Sequence, residues 1–98
     1  MMHVEFEFDN NKIESIGHTI KDVHYTIKQV FKEYGLPCIA DGQILAFGGR
    51  GSKDDYSNLW TVILDLTESD WFLEVATACY WCEGGKRVED ILAQASTN

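Results

Sequence analysis

The chain opens with a strict alternation of apolar and polar side chains. Between residues 3 and 8 the apolar members face one way and the polar members the other: Val4, Phe6 and Phe8 against His3, Glu5 and Glu7. A period of two is typical of a strand that buries one face and exposes the other. The pattern therefore predicts a half-buried strand over residues 3–8, followed by the turn and helix-cap residues Asp9-Asn10-Asn11.

The period changes to three and four residues in the next part of the chain. Apolar side chains there fall on one face of a helix: Ile13, Ile16, Ile20, Val23, Ile27, Val30, Phe31 and Tyr34. Gly35 and Pro37 end the pattern, because glycine favours the position after a helix and proline cannot continue one. We predict one long amphipathic helix over residues 13–34, with a start as late as Ser15 because Gly17 interrupts the first turns. Its core residues should include Ile20 and Ile27.

The remaining sequence predicts strands joined by turns. Residues 38–40 and 44–47 flank the dipeptide Asp41-Gly42, which is typical of a hairpin. After a loop over residues 48–58, alternating apolar positions predict strands at 59–66 and 71–81, separated by a turn at 68–70. Gly84-Gly85 breaks the pattern, and the apolar residues between 88 and 95 predict a short terminal helix.

These elements predict a single α+β domain spanning residues 1–98, with the order β-α-β-β-β-α. We expect one antiparallel sheet of four to five strands, with the long and the short helix packed on one face. The opposite face of the sheet would then be open to solvent. It would carry a mixture of acidic and large apolar side chains: Glu5, Glu7, Thr61, Ile63, Asp65, Phe72, Glu74 and Tyr80.

The net charge limits the classes of partner that the protein is expected to bind. Sixteen acids against eight bases give a formal net charge of −8. Such a field repels nucleic acid and anionic membranes, and it favours a cationic partner. The sequence shows no signal-peptide pattern and no apolar run long enough to span a bilayer. Its three cysteines suggest free thiols in a reducing compartment. We therefore expect a cytoplasmic protein that binds neither nucleic acid nor membranes directly.

Acidic residues are concentrated in one segment of the chain. Residues 54–85 contain no lysine or arginine, but they contain the acids Asp54, Asp55, Asp65, Glu68, Asp70, Glu74 and Glu83 and the aromatic residues Trp60, Trp71, Tyr80 and Trp81. Aromatic anchors surrounded by charge are typical of protein-binding surfaces. The alternative is that the tryptophans are core residues and the acids are solubilising. The residues predicted to contact a partner are Glu5, Glu7, Asp65, Asp70, Phe72, Glu74 and Tyr80.

Two short motifs resemble known functional motifs, but their sequence context argues against such a function. Residues 79–82 form a C-x-x-C motif, but on a regular strand residues three apart point to opposite faces. We therefore predict that Cys79 and Cys82 are unlinked and bind no metal. Residues 48–53 are rich in glycine, but the element predicted after them is a strand, which lacks the helix N-terminus that binds phosphate. We predict a flexible loop tip with Arg50 and Lys53 exposed.

The histidines form no recognisable metal pair. His18 and His24 lie six residues apart on the predicted helix, roughly 120° from each other, whereas an i, i+4 pair shares one face. The sequence also lacks a recognisable nucleophile–base pair and a cofactor motif. We predict that the protein is not an enzyme and takes no cofactor.

No motif assigns the chain to a family. In general type, a small, acidic, aromatic-bearing α/β chain without a catalytic signature is similar to bacterial immunity proteins, which sequester a toxin. This resemblance implies an inhibitor that covers the active or substrate-binding surface of a cationic toxin such as a nuclease. The alternatives are a phage-encoded nucleic-acid mimic that inhibits a defence nuclease, a small ligand-binding or enzymatic domain, and a homodimer that pairs the open sheet faces.

Overall fold

The computed structural model describes residues 1–95. Within that range the bounds of the strands and helices are β1 Met2–Phe8, α1 Asn10–Ser15, α2 Ile20–Glu33, β2 Cys38–Asp41, β3 Leu45–Gly48, α3 Asp55–Thr67, α4 Asp70–Val75, β4 Ala76–Glu83, β5 Lys86–Asp90 and α5 Ile91–Ala95. The strands form one antiparallel sheet in the order β2-β3-β1-β4-β5. The predicted fold class, an α+β fold with helices packed against a single antiparallel sheet, is confirmed.

β1 lies at the centre of the sheet, and the strand predicted over residues 3–8 is confirmed. Val4 and Phe6 are fully buried. The ring of Phe6 contacts those of Phe31 on α2, Phe47 on β3 and Phe72 on α4, with centroids 5.9, 6.3 and 5.8 Å away. Because a strand sends alternate side chains to opposite faces, contact with this one ring places α2 and α4 on the same face of the sheet.

The long helix predicted over residues 13–34 is divided into α1 and α2, so the predicted start was wrong. Gly17 adopts a φ of +83° between them, in the left-handed region that interrupts a helix. Thr19 then caps α2: its hydroxyl accepts from the backbone N–H of Asp22, and the Asp22 carboxylate accepts from the backbone N–H of Thr19. This reciprocal capping box begins a new helix at residue 20.

α2 packs on the sheet through one apolar stripe. Val23, Ile27 and Phe31 are buried at a spacing of four residues, and the ring of Phe31 stacks on that of Phe47 with centroids 4.0 Å apart. The prediction that Ile27 is a core residue is confirmed. Ile20 is only partly buried at the edge of the core, because it occupies the first turn of the helix.

The predicted hairpin is formed by β2 and β3. β2 is exposed along its whole length and forms one edge of the sheet. Two side chains of α2 bind Asp41 at its end: Nδ1 of His24 lies 3.0 Å from one carboxylate oxygen, and the Lys28 ammonium contacts the other. These hydrogen bonds, first that of Lys28 and then that of His24, lower the pKa of Asp41 and tie the helix to the edge strand.

The strand predicted over residues 59–66 is wrong, because this segment lies in α3. Its buried side chains have helical spacing: Leu59, Val62, Ile63 and Leu66. The sequence prediction instead used the alternating set that includes Trp60 and Leu64. Trp60 is half-buried and Leu64 is exposed. The segment is so rich in apolar residues that it fits both periods, and the packing of the helix on the sheet decides between them.

The strand predicted over residues 71–81 is wrong in its first half. Residues 70–75 form α4, which buries Phe72 and Val75 at i, i+3 spacing, and the strand β4 begins only at Ala76. Asp65 and Glu74 therefore lie on helices and not on strands, and Asp70, predicted in a turn, is the first residue of α4. An acid in the first turn is favourable there because it faces the positive end of the helix dipole.

The end of the described chain contains a strand that the sequence did not predict. Gly84 and Gly85 have φ values of +60° and +80°, and two such residues between paired strands are typical of a hairpin turn. They join β4 to β5, whose residues 86–90 include part of the predicted terminal helix. That helix, α5, starts only at Ile91, where the Asp90 carboxylate accepts from the backbone N–H of Ala93.

Candidate functional site

The residues predicted to contact a partner do not form one surface. The structure divides them among the face of the sheet opposite the helices, the exposed sides of α3 and α4, and the core: Glu5, Glu7 and Tyr80 on the sheet, Asp65, Asp70 and Glu74 on the helices, and Phe72 in the core. The division follows from the two helices that replace the predicted strands.

Phe72 cannot contact a partner in this fold. Its side chain is fully buried, and its ring meets those of Phe6, Phe8 and Trp71 with centroids 5.8, 6.1 and 6.1 Å away. The placement of Phe72 on the open face of the sheet was wrong because residues 70–75 are helical, so that the side chain points toward the sheet rather than away from it.

The acids on the open face of the sheet are paired with bases of the same face. Nε of Arg87 donates to the Glu5 carboxylate across 3.1 Å, and Nε2 of His3 lies 3.0 Å from its other oxygen. Burial alone would raise the pKa of Glu5, but the hydrogen bonds from His3 and Arg87 outweigh it and the pKa is lowered. Arg87 also pairs with Glu7 at 4.0 Å and lies over the ring of Tyr80, 4.2 Å from its centroid. Arg87 consequently compensates one of the two negative charges that Glu5 and Glu7 place on this face.

The acids at the junction of α3 and α4 have no such compensation. Asp65, Glu68, Asp70 and Glu74 are all exposed, and within residues 1–95 their carboxylates take part in no ion pair. Asp65 and Glu68 are three residues apart, and Asp70 and Glu74 are neighbours on α4 at i, i+4 spacing. The like charges therefore reinforce one another and concentrate negative potential at this end of the helical layer.

Large apolar side chains are exposed on the same two helices as these acids. Leu64, Trp71 and Leu73 have exposed fractions of 54%, 36% and 41%. We refer to these three residues together with Asp65, Glu68, Asp70 and Glu74 as the α3–α4 acidic surface. Isolated exposed apolar residues are common in soluble proteins, but apolar and aromatic residues that are exposed together and rimmed by polar residues are typical of protein interfaces.

A groove of about 160 Å³ adjoins this surface at Trp71. Ile16, Val23 and Thr26 line it together with Trp71, and His18 and Asp22 form its polar side, with Nδ1 of His18 3.8 Å from the Asp22 carboxylate. The groove is mainly apolar. It extends the apolar part of the α3–α4 acidic surface toward α2.

The other two tryptophans, Trp60 and Trp81, belong to the packed layer between α3 and the sheet. Trp81 is buried, and its ring centroid lies 5.1 Å from that of Trp60 and 5.6 Å from that of Tyr56. For Trp60 and Trp81 the alternative prediction, that the tryptophans are core residues, describes the structure better. Trp71 is the tryptophan that remains accessible to a partner.

The glycine-rich loop over residues 48–53 precedes α3, so the prediction that a strand follows it was wrong. Two of its backbone amides are nevertheless already occupied. The N–H groups of Gly51 and Ser52 donate to the Asp55 carboxylate across 2.8 and 3.0 Å, and Asp55 is buried, with 5% of its surface exposed. A side chain at Gly49 would collide with this carboxylate. The loop thus encloses an acid of its own chain in the place where a phosphate loop would hold its ligand.

The two cysteines of the C-x-x-C motif lie on opposite faces of β4, as the alternation predicted. Cys79 is in the core, where burial raises the pKa of its thiol. Cys82 lies on the other face, opposite His3 in the sheet register. Burial, followed by the nearby charge of Glu5, raises the pKa of the Cys82 thiol to about 11. The ligand atoms of His3, Glu5 and Cys82 lie within 4.8 Å of one another.

Sequence reasoning named Trp71 among the aromatic residues of the predicted surface but did not show that it is the exposed one, and it missed the proximity of His3 to Cys82. The helical spacing of Phe72 and Val75 was a signal for the first, because it leaves Trp71 on the outer side of α4. No local signal could have given the second. It depends on the pairing of β1 with β4, two segments at opposite ends of the sequence.

Comparison of the chain with protein-family models, curated proteins and solved structures gives no match. Its function is therefore inferred from the geometry of its own residues. Among the helices within residues 1–95, none combines the length and apolar character needed to cross a bilayer.

Proposed function

We propose that the protein binds a cationic protein partner through the α3–α4 acidic surface, as a stoichiometric inhibitor. One observation carries the proposal: four exposed carboxylates within residues 65–74 have no ion-pair partner in the described chain, and three large apolar side chains are exposed on the same two helices. The proposed interface keeps Asp65, Asp70 and Glu74 from the sequence prediction and omits Phe72.

The charge of this surface favours a basic partner. Unpaired carboxylates create a long-range field that accelerates encounter with a cationic protein and repels anionic ones. The same argument ranks the open sheet face lower, because Arg87 already pairs with Glu5 and Glu7 there. Of the predicted contact residues on that face, Tyr80 is covered by the Arg87 guanidinium, and we give it no part in the interface.

The exposed apolar residues supply the short-range part of the interaction. A few aromatic and aliphatic anchors carry most of the energy of a typical protein interface, while the surrounding polar residues exclude water and define specificity. Trp71 is best placed for this role, since it is accessible and borders the groove next to α2. Leu64 and Leu73 flank it in sequence on the same two helices.

The partner that best fits this chemistry is a protein with a basic, nucleic-acid-binding surface. An acidic surface can cover such a site by imitating the charge of phosphate groups. We therefore favour an immunity-type protein that neutralises a cationic toxin such as a nuclease in the cytoplasm. A nucleic-acid mimic directed at a defence nuclease would use the same surface and the same physical interactions.

Affinity capture from an extract of the source cells tests this proposal. Wild-type protein is compared with the triple variant Asp65→Lys, Asp70→Lys, Glu74→Lys and with a charge-matched control, Glu14→Lys, Glu33→Lys, Asp54→Lys, which changes exposed acids outside the proposed interface. We expect a basic protein to be retained at low salt by wild type and control but not by the triple variant. Retention of the same protein by all three would contradict the proposed surface.

A further inference from the structure

The open face of the sheet contains a group of three side chains of the kind that bind transition metals. His3 and Glu5 are two residues apart on β1 and therefore share a face. Cys82 is the register partner of His3 on β4. The imidazole nitrogen, carboxylate oxygen and thiol sulfur all lie within 4.8 Å of one another, and Nε2 of His3 is 3.0 Å from Oε2 of Glu5.

The donor set and its spacing suit a zinc-like ion. Zn²⁺ binds histidine nitrogen, cysteine sulfur and carboxylate oxygen at about 2.0–2.3 Å in a tetrahedral arrangement, which places the ligand atoms roughly 3.3–3.6 Å from one another. The observed atoms approach this spacing, so small side-chain rotations would complete it. A thiolate and a carboxylate together also balance the charge of a divalent cation.

The surroundings of the three residues favour a fixed geometry. Both strands are interior to the sheet, with hydrogen-bonded neighbours on each side. Nε of Arg87 holds Oε1 of Glu5 at 3.1 Å and leaves Oε2 directed toward His3. Cys82 is only 1% exposed and His3 is partly buried. Hydrogen-bonded outer residues and partial exclusion of water are typical of protein metal sites, because they orient the ligands.

We propose that His3, Glu5 and Cys82 form a binding site for a divalent transition-metal ion of the zinc class. A tetrahedral ion held by these three residues would keep one further coordination position, which water or an external ligand could occupy. This inference replaces the prediction that Cys82 binds no metal. That prediction considered Cys79 as the second ligand, and Cys79 does point to the opposite face of β4 from Cys82. The actual neighbours of Cys82 are His3 and Glu5 of β1. The site is separate from the α3–α4 acidic surface, and neither proposal depends on the other.

Cobalt titration tests the site, since Co²⁺ occupies zinc sites and gives a charge-transfer absorption when a thiolate is a ligand. Tag-free, reduced and chelator-treated full-length protein is titrated with Co²⁺ and then with Zn²⁺. We expect one equivalent of Co²⁺ to bind, with a thiolate charge-transfer band that Zn²⁺ abolishes. Cys82→Ser should lose the band, and Cys82→Ser and His3→Gln should each weaken binding by on the order of 100-fold or more, since even outer residues of metal sites contribute about 10–100-fold.

Two matched variants separate this site from adventitious binding. Cys38→Ser removes the exposed cysteine and His18→Gln removes an exposed histidine of the helical layer, and both should bind Co²⁺ as the wild type does. Thermal unfolding in chelator establishes that every variant is folded. Added Zn²⁺ should raise the melting temperature of wild type and of both controls, but not that of Cys82→Ser or His3→Gln. Absence of the charge-transfer band in wild type, its survival in Cys82→Ser, or its loss in Cys38→Ser would each overturn the proposal.

Discussion

Arg87 on β5 pairs with Glu5 on β1, 82 positions earlier in the chain, with Nε 3.1 Å from the carboxylate oxygen. The strand β4 lies between these two strands in the sheet. The Arg87 guanidinium also lies over the ring of Tyr80 on β4. Arg87 thus offsets part of the negative charge of Glu5 and Glu7 on the open sheet face. The remaining unpaired acids of the predicted interface lie on α3 and α4, and this difference determines where a cationic partner should bind.

Truncation of Ile27 should destabilise the fold much more than truncation of Ile20. Ile27 is fully buried and Ile20 is only partly buried at the edge of the core. Replacing a buried isoleucine by alanine typically costs about 2–5 kcal/mol, a large share of the roughly 5–15 kcal/mol of a typical domain. Urea unfolding of Ile27→Ala and Ile20→Ala, followed by the fluorescence of the tryptophans, measures both free energies of unfolding. Equal losses would contradict the observed position of α2.

The link between α2 and β2 should make a contribution to stability that is lost in acid. Hydrogen bonds from Lys28 and His24 lower the pKa of Asp41 in the folded chain relative to its ordinary value of 3.8. A depressed folded-state pKa stabilises the fold above the unfolded-state value, and this contribution disappears as the pH falls through the folded-state value. Asp41→Asn should therefore lower the urea midpoint near neutral pH and have little effect in strong acid.

The control for this experiment is Glu33→Gln, which removes an exposed acid of α2 that pairs with no base in the described part of the chain. Its effect on the urea midpoint should be small at every pH. A loss in Asp41→Asn that is the same at neutral and at strongly acid pH would show that the ionised carboxylate contributes nothing.

Thiol labelling should distinguish the three cysteines by their positions. Cys38 is exposed, whereas Cys79 and Cys82 are buried. Since the thiolate is the reactive species and burial also raises the pKa of Cys79, a thiol reagent at neutral pH should modify Cys38 rapidly in chelator-treated native protein. All three should react in urea, and Cys38→Ser should leave no rapid phase. A rapid phase that persists in Cys38→Ser would contradict the placement of β4.

Trp71 should anchor the partner, so its removal should act mainly on dissociation. Truncating a residue of an interface hot spot typically costs 2 kcal/mol or more, which corresponds to about 30-fold in affinity. We expect Trp71→Ala to dissociate faster from the captured partner, with little change in association rate. Tyr25→Ala is the matched control, because Tyr25 is an exposed aromatic residue of α2 that does not line the groove at Trp71. Equal dissociation rates for both variants would exclude Trp71 as the anchor.

The sequence was sufficient where one local pattern had a single interpretation. Strand β1, the apolar stripe of α2 and the hairpin of β2 and β3 were predicted because their residues fit only one period. The prediction failed at residues 59–66 and 71–75, where closely spaced apolar residues fit both a strand and a helix. There the choice depends on packing: Ile63 and Phe72, which the predicted strands placed on the open face of the sheet, lie in the core because their segments are helical.

The candidate sites show the same division between local and non-local information. The concentration of acids in residues 54–85 is a property of the sequence, and it identified Asp65, Asp70 and Glu74. Which of the acids pair with a base cannot be predicted from the local sequence, because the pairing of Glu5 with Arg87 depends on the order of strands in the sheet. The approach of His3 to Cys82 depends on the same order and was missed for the same reason.

The association rate of the captured partner at different salt concentrations tests the central claim most directly. Wild type, the triple variant Asp65→Lys, Asp70→Lys, Glu74→Lys and the charge-matched control Glu14→Lys, Glu33→Lys, Asp54→Lys are compared. Each substitution adds two units of charge, so the formal net charge of both variants changes from −8 to −2. We expect the triple variant to associate about tenfold or more slowly than the control at low salt. The wild-type rate should fall as salt rises and shortens the screening length. Equal association rates for the triple variant and the control at low salt would contradict the assignment of the α3–α4 acidic surface as the interface.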